Sequence, residues 1–261
     1  MLDPGPTENY GMMPAGGSSR TRPFSFTVDP AIGCGSRITL TFHLLDGSQD
    51  LGSITAEMQT GTPRIAFQQN FDRNHLAQLP VRWSRAAMDR SREWTVSLTR
   101  ARSGARSAFS PDPIQAGVNE MVSPVFTVMT PNARLSFSNW YEFETTFLRN
   151  RLYDGSVLEI RIGDSGWQDI LDAGGAFESG GYDGSIDACC QNPLGGRLGW
   201  SGRSGVNQTS EFITTKVDLP TAAAGNTVQL RWRVGTDVGG FREGQYLDDV
   251  LVTDGFTCGC R

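Results

Sequence analysis

The chain is poor in lysine and histidine, and it has no long apolar run. Lys216 is the only lysine among 23 basic residues, and the histidines are His43 and His75 alone. His43 reads as a solvent-facing position on a strand, and His75 sits in a polar loop outside any nucleophile motif. Nucleophilic catalysis is therefore left without its usual base. Gly199-Trp200-Ser201-Gly202 lacks the Gly-x-Ser-x-Gly spacing of a nucleophile elbow. The sequence contains neither an HExxH zinc motif nor a phosphate-binding P-loop. Paired carboxylates for glycoside hydrolysis are recognised by their separation in space, and Glu142, Glu144 and Asp154 are the nearest such set. On these grounds the chain is read as a non-enzyme.

Other absences bound the setting. No apolar run approaches the roughly 20 residues of a membrane helix, so no membrane span is expected. A net charge of −5 leaves no basic patch, which argues against nucleic acid as a partner. The opening residues MLDPGPTENYGMMPAGG have no basic segment followed by an apolar one, so they do not read as a signal peptide. The expectation is either a piece of a larger secreted protein or a Met1 that is not the natural start.

What the chain does have is glycine, proline and period-two patterning. With 31 Gly and 13 Pro, turns are frequent, as all-β chains require. Residues 153–182 hold the clearest signal. Val157, Glu159 and Arg161 alternate with Leu158, Ile160 and Ile162, which predicts a half-buried strand. Gly163-Asp164-Ser165-Gly166 supplies a turn, and Trp167 to Ile170 returns the chain. Leu135, Phe137, Asn139, Tyr141 and Phe143 share one face of a second strong strand over 133–147. Near the N-terminus, strands are expected at Pro23 to Val28, Ser36 to Leu45 and Ser53 to Thr60, with Asp46-Gly47 as a turn. Residues 73–92 and 101–118 read as connections. The expected fold is all-β: an antiparallel jelly-roll sandwich over 63–261, preceded by a small β unit over 1–62. Three strands cannot close a sandwich, so that first unit is read as incomplete.

YDGSVLEIRIGDSGWQDI, GGAFESGGYDG, NPLGGRLGWSG, VQLRWRVGTD and YLDDVLVTDG follow one another between residues 153 and 255. That order resembles the MAM-like jelly-roll modules of secreted bacterial proteins, often found behind metallopeptidase domains. The run PAGGSSRTRPFSFTVDPAIGCGSRITLTF resembles the C-terminal part of an Ig-like, CARDB-type module. The resemblance implies an extracellular or cell-surface location. It also implies a structural cation where the first and last strands meet. Calcium wants six to eight oxygens, and Asp72, Asp248 and Asp249 are its candidate ligands, with Glu144 one strand away. By simple alternation Asp248 and Asp249 point to opposite faces, so only one can face inward as a ligand; the alternative is that one caps a neighbouring loop and the other is solvated.

Five cysteines fit an oxidising compartment. Cys189-Cys190 and Cys258-Gly-Cys260 can bond to each other in two ways, leaving Cys34 over. Free thiols or a four-thiolate metal site are the alternatives, although structural zinc usually spaces its paired cysteines by two residues or more. Trp140, Tyr141 and Trp200 are candidates for a ligand-binding aromatic surface; the alternative is that most of the Trp residues pack in the core or under loops, as a large sandwich requires. Arg197 and Arg203 are expected to tie the glycine-rich excursion to neighbouring carboxylates. The functional expectation is an extracellular binding or adhesion module that recognises a glycan or protein surface. The alternatives are a structural subunit that self-associates through its N-terminal unit, and the tail of a secreted peptidase.

Overall fold

The computed structural model describes residues 7–29, 31–73, 78–89, 93–146 and 151–259. His75 and Cys260 lie outside the described residues. The chain divides into two compact units: residues 1–63 with 256–261, and residues 64–255. On sequence the last residues belong with the second domain; in the structure Phe256 to Gly259 fall in the first unit, where Cys258 is bonded to Cys34.

The first unit is built on an antiparallel pair, β1 (Arg37–Asp46) and β2 (Gln49–Gln59), turned at Asp46-Gly47. Its register puts Ile38, Leu40 and Phe42 opposite Met58, Ala56 and Ile54, so one face is wholly apolar. His43 lies on the other face, exposed, with a hydrogen bond to Ser53. The strand expected at Pro23 to Val28 does not form. Pro23 has no N–H to donate, and Phe24 instead sets its ring edge-on against Phe42. The Cys34–Cys258 bond spans 224 positions and so removes much chain entropy from the unfolded state. Cys34→Ser should reduce the hydrogen-exchange protection of the β1–β2 amides by the equivalent of about 2–4 kcal/mol.

The second unit takes in β3 (Thr62–Gln69) from Arg64 onward, then β4 (Ser84–Asp89), β5 (Thr95–Ser97) and β6 (Ser107–Asp112). It continues through β7 (Gly117–Val122), β8 (Phe126–Val128), β9 (Ala133–Glu142), β10 (Gly155–Ile162) and β11 (Gln168–Asp169). The rest are β12 (Ala176–Ser179), β13 (Gly184–Ser185), β14 (Leu198–Gly199), β15 (Ile213–Asp218), β16 (Asn226–Thr236) and β17 (Arg242–Thr257). One sheet runs β11-β10-β16-β7-β4, with β8 also on β16. The other runs β12-β15-β9-β17-β6-β5, with β3 also on β17. β16 pairs antiparallel with β10 and β7, and β9 pairs antiparallel with β15 and β17; the two sheets enclose one main core, so the unit is an all-β sandwich. At the centre Trp232 stacks on Trp83, and the edge of Phe137 meets both Trp232 and Trp200.

Three sequence expectations change here. β4 and β6 lie in stretches read as connections. Pro111 is tolerated in β6 because the partner strand bulges between Arg242 and Gln245, where ladder bonds are already interrupted. β10 is buried on both faces rather than half-buried: Val157 is inaccessible and Glu159 nearly so. The loop carrying β13 and β14 covers that second face with Ile186 and Leu194.

Candidate metal centre

The four carboxylates of most interest come from the ends of four strands. Asp112 closes β6, Glu144 follows β9, Asp154 precedes β10, and Asp237 follows β16. Two of these strands belong to each sheet, and cross-strand register brings their ends together: Asp112 pairs with Arg242, Glu142 with Gly244, and Gly155 with Gly235. Ligand oxygens of Glu144, Asp154 and Asp237 all lie within 4.8 Å of one another. Asp112, Asp154 and Asp237 are 2%, 0% and 3% exposed.

Local backbone geometry sets this arrangement. The Asp237 N–H donates to Asp154 Oδ1 at 2.7 Å, and the Arg242 N–H donates to Asp112 Oδ2 at 3.0 Å. The Tyr153 N–H donates to the Glu144 carbonyl at 3.1 Å. Gly239 and Gly240 leave the space that the Glu144 carboxylate fills: a Cβ on Gly240 would sit 2.3 Å from Glu144 Oε1. Asp237 Oδ1 is buried and receives no hydrogen bond. Asp112 Oδ1 and Asp154 Oδ2 meet no donor group either, but the two carboxyls lie close enough to share a proton, with the Glu144 N–H beside Asp112.

Burial pushes the Asp112 and Asp154 carboxyls up, and mutual repulsion adds to the rise at Asp154. Burial and the nearby Glu144 raise Asp237 as well. Carboxyls this close cannot all ionise unless something positive joins them. A proton serves at low pH. Carboxylate oxygens are also the donor type that a hard divalent cation such as calcium accepts, so Glu144, Asp154 and Asp237 are the residues that could hold one.

The residues proposed on sequence as cation ligands are divided by the fold. Glu144 enters the cluster. Asp72 does not: its Oδ1 accepts the Ala105 and Arg106 N–H groups at 2.8 and 3.1 Å. Asp248 Oδ2 accepts the Arg102 and Ser103 N–H groups, and its Oδ1 accepts the Asp249 N–H. Burial lifts the Asp248 carboxyl to about 6 against those three donors. Asp249 Oδ1 accepts the Ser103 hydroxyl. The strict alternation expected for Asp248 and Asp249 fails at a bulge between Asp248 and Leu251, where Asp249 takes φ 50°. Both carboxylates thereby address the same loop, Asp248 through backbone amides and Asp249 through the Ser103 hydroxyl. Asp248→Ala should cost about 1–3 kcal/mol through unsatisfied amides. It should leave any calcium response unchanged, as chemical unfolding with and without calcium would show.

Asp112 and Asp237 were missed on sequence. The available signals were Asp112 between two prolines and the Asp237-Val238-Gly239-Gly240 turn. Glu142, grouped on sequence with Glu144 and Asp154, turns away to Arg203 at 2.7 Å. Asp154 is fully enclosed, which keeps it from a glycosidic bond.

The expected aromatic surface is not exposed. Trp140, Tyr141 and Trp200 are 1%, 2% and 0% accessible. Trp200 and Tyr141 belong to the core, and the Trp140 ring lies beneath the Arg100 guanidinium, 4.1 Å from its centroid. Exposure at this point passes to a shallow pocket of about 470 Å³ above Trp140, bordered by Arg100, Arg102, Glu211 and Phe212.

The cysteine pairing also differs from expectation. The bonds are Cys34–Cys258 and the adjacent Cys189–Cys190, not a staple from 189/190 to the C-terminus. The fold puts Cys258 in the first unit, and Cys189 and Cys190 in the second.

No protein-family model and no curated protein matches the chain. Among solved structures it is similar to the K3 cleaved adhesin domain of Lys-gingipain from Porphyromonas gingivalis. The identity is 13% over 73% of this chain and 99% of that one, with a TM-score of 0.43. It is similar to carbohydrate-binding modules of the β-sandwich superfamily, at 14% identity over 84% of this chain and 74% of that one, TM-score 0.39. It is also similar to a cyclase from Fischerella sp. TAU, at 14% identity over 74% and 96%, TM-score 0.38. Likeness at this level assigns neither family nor activity, so the functional reading rests on the residues of the site.

Proposed function

We propose that the sandwich is a non-enzymatic extracellular binding module, one end of which is fixed by a calcium ion held by Glu144, Asp154 and Asp237, with Asp112 beside them. The observation that carries the reading is the crowding of buried carboxylates at a point where four strand ends meet, with Asp237 Oδ1 lacking a donor. The two disulfides support an oxidising compartment. A glycan or protein surface as target rests on the resemblance in motif order. The pocket above Trp140 is where that target would sit. Screening the chain against glycan and matrix-protein arrays tests this half of the reading. Binding that Arg102→Ala and Phe212→Ala both abolish supports it, and an absence of binding to either array refutes it.

A second reading, a self-associating structural subunit, draws on the β1–β2 pair. Its apolar face leaves Ile54 at 55% and Met58 at 43% exposure. Analytical ultracentrifugation should show concentration-dependent assembly that Ile54→Lys abolishes. A monomer at all concentrations rejects this alternative.

A further inference from the structure

We infer that Cys189 and Cys190, once reduced, form with Asp237 a site for a thiophilic divalent cation such as zinc or cadmium, adjoining the carboxylate cluster and sharing one ligand with it. The sulfur atoms and an Asp237 carboxylate oxygen all lie within 4.8 Å of one another. Asp237 is 3% exposed, and its Oδ1 has no hydrogen-bond donor. Two thiolates and a carboxylate are a donor set that zinc accepts, with water in the remaining position. The sharing of Asp237 rests on the calcium reading; the thiolate site by itself does not.

The bond between these cysteines is poorly suited to a role in global stability. It joins neighbours in sequence, so it closes no loop and removes almost no entropy from the unfolded chain. Cys190 is exposed and Cys189 partly so, which leaves the pair open to a reductant. The backbone around them is held independently of the S–S bond. The Cys189 N–H donates to Asp187 Oδ1 at 2.9 Å, and the Cys190 carbonyl accepts the Val238 N–H at 3.1 Å. The second of these bonds ties the cysteine turn to the residue after Asp237. Opening the disulfide should therefore leave both side chains beside the carboxylate.

The chemistry balances with a dithiol reductant. The S–S bond breaks and takes two electrons and two protons, while the reductant closes its own disulfide. Metal binding then displaces the two thiol protons, since only thiolates ligate. The consequence is competition: a thiophilic ion that holds Asp237 weakens the hold of the carboxylate cluster on calcium.

The test uses the full chain, reduced with a dithiol, freed of excess reductant and titrated with cadmium. The readout is the ultraviolet thiolate-to-cadmium charge-transfer band. The Cys189→Ser/Cys190→Ser double variant, reduced in parallel, measures the background from the other cysteines. Wild type should bind one cadmium above that background, and the unreduced chain none. Asp237→Asn should weaken the extra site about tenfold or more, since even an outer-shell partner of a metal is worth that much. A band no larger than the double variant's overturns the site, and unchanged affinity in Asp237→Asn overturns the shared ligand. The calcium shift of the untreated chain is read separately. Its loss would sink the calcium reading and leave the cadmium result standing, whereas cadmium failing while calcium still stabilises would sink this inference alone.

Discussion

Saturating calcium should raise the melting temperature of the sandwich by about 5–10 °C over the same protein in chelator. A ligand at 100 times its dissociation constant adds about 2.7 kcal/mol, and a domain of this size gains about 2–4 °C per kcal/mol. Asp154→Asn should remove that gain. Asparagine keeps an oxygen for the Asp237 N–H but loses the charge, so the same variant should be more stable than wild type in chelator.

The pH dependence gives the same prediction a second readout. Unfolded carboxyls titrate near pH 4, whereas burial and crowding raise Asp112 and Asp154 in the folded chain. Between those limits the folded state binds more protons than the unfolded one. Stability in chelator should therefore fall as pH rises from about 4 through neutrality, by roughly 1.4 kcal/mol per pH unit for each extra proton held. Calcium replaces the proton, so saturating calcium should flatten or invert that slope. Calorimetric scans at pH 5, 6 and 7 with and without calcium would decide it; parallel slopes in the two series would remove the cation from the site.

The second large effect lies on β10. Glu159 is 4% exposed and carries three arginines. Arg197 Nη1 reaches Oε1 at 2.5 Å, Arg231 Nε reaches Oε2 at 2.6 Å, and Arg233 Nη1 reaches Oε1 at 3.3 Å. Burial alone would push this carboxyl up, but the arginines together hold it below its ordinary value. Removing one partner of a buried ion pair typically costs about 3–5 kcal/mol. Here the arginines keep second partners: Arg233 pairs with Glu120 at 2.8 Å and Arg197 with Asp169 at 2.9 Å. Glu159→Ala is accordingly expected near 3 kcal/mol in denaturant unfolding, with or without calcium. A loss under 1 kcal/mol would show that the secondary pairs carry the network without it.

The sequence alone determined the class of fold and the inward faces of its strongest strands. Period-two alternation at 135–143 is a local property, and the core contributed by Leu135, Phe137, Tyr141 and Phe143 follows it. It also anticipated the tie from Arg197 to carboxylates, because a long cation in a glycine-rich loop has few other partners within reach. Tertiary structure decided the rest. A proline hides β6 from any local reading, and only the bulge on β17 makes room for it. The same bulged strand turns Asp248 and Asp249 toward one loop, where alternation would have separated them. Cysteine pairing depended on which unit receives the chain's end. The carboxylate cluster joins positions 112, 144, 154 and 237, none of which shares a local pattern with another. They meet because antiparallel pairing brings four strand ends together, and that proximity is a property of the register between strands rather than of any one strand.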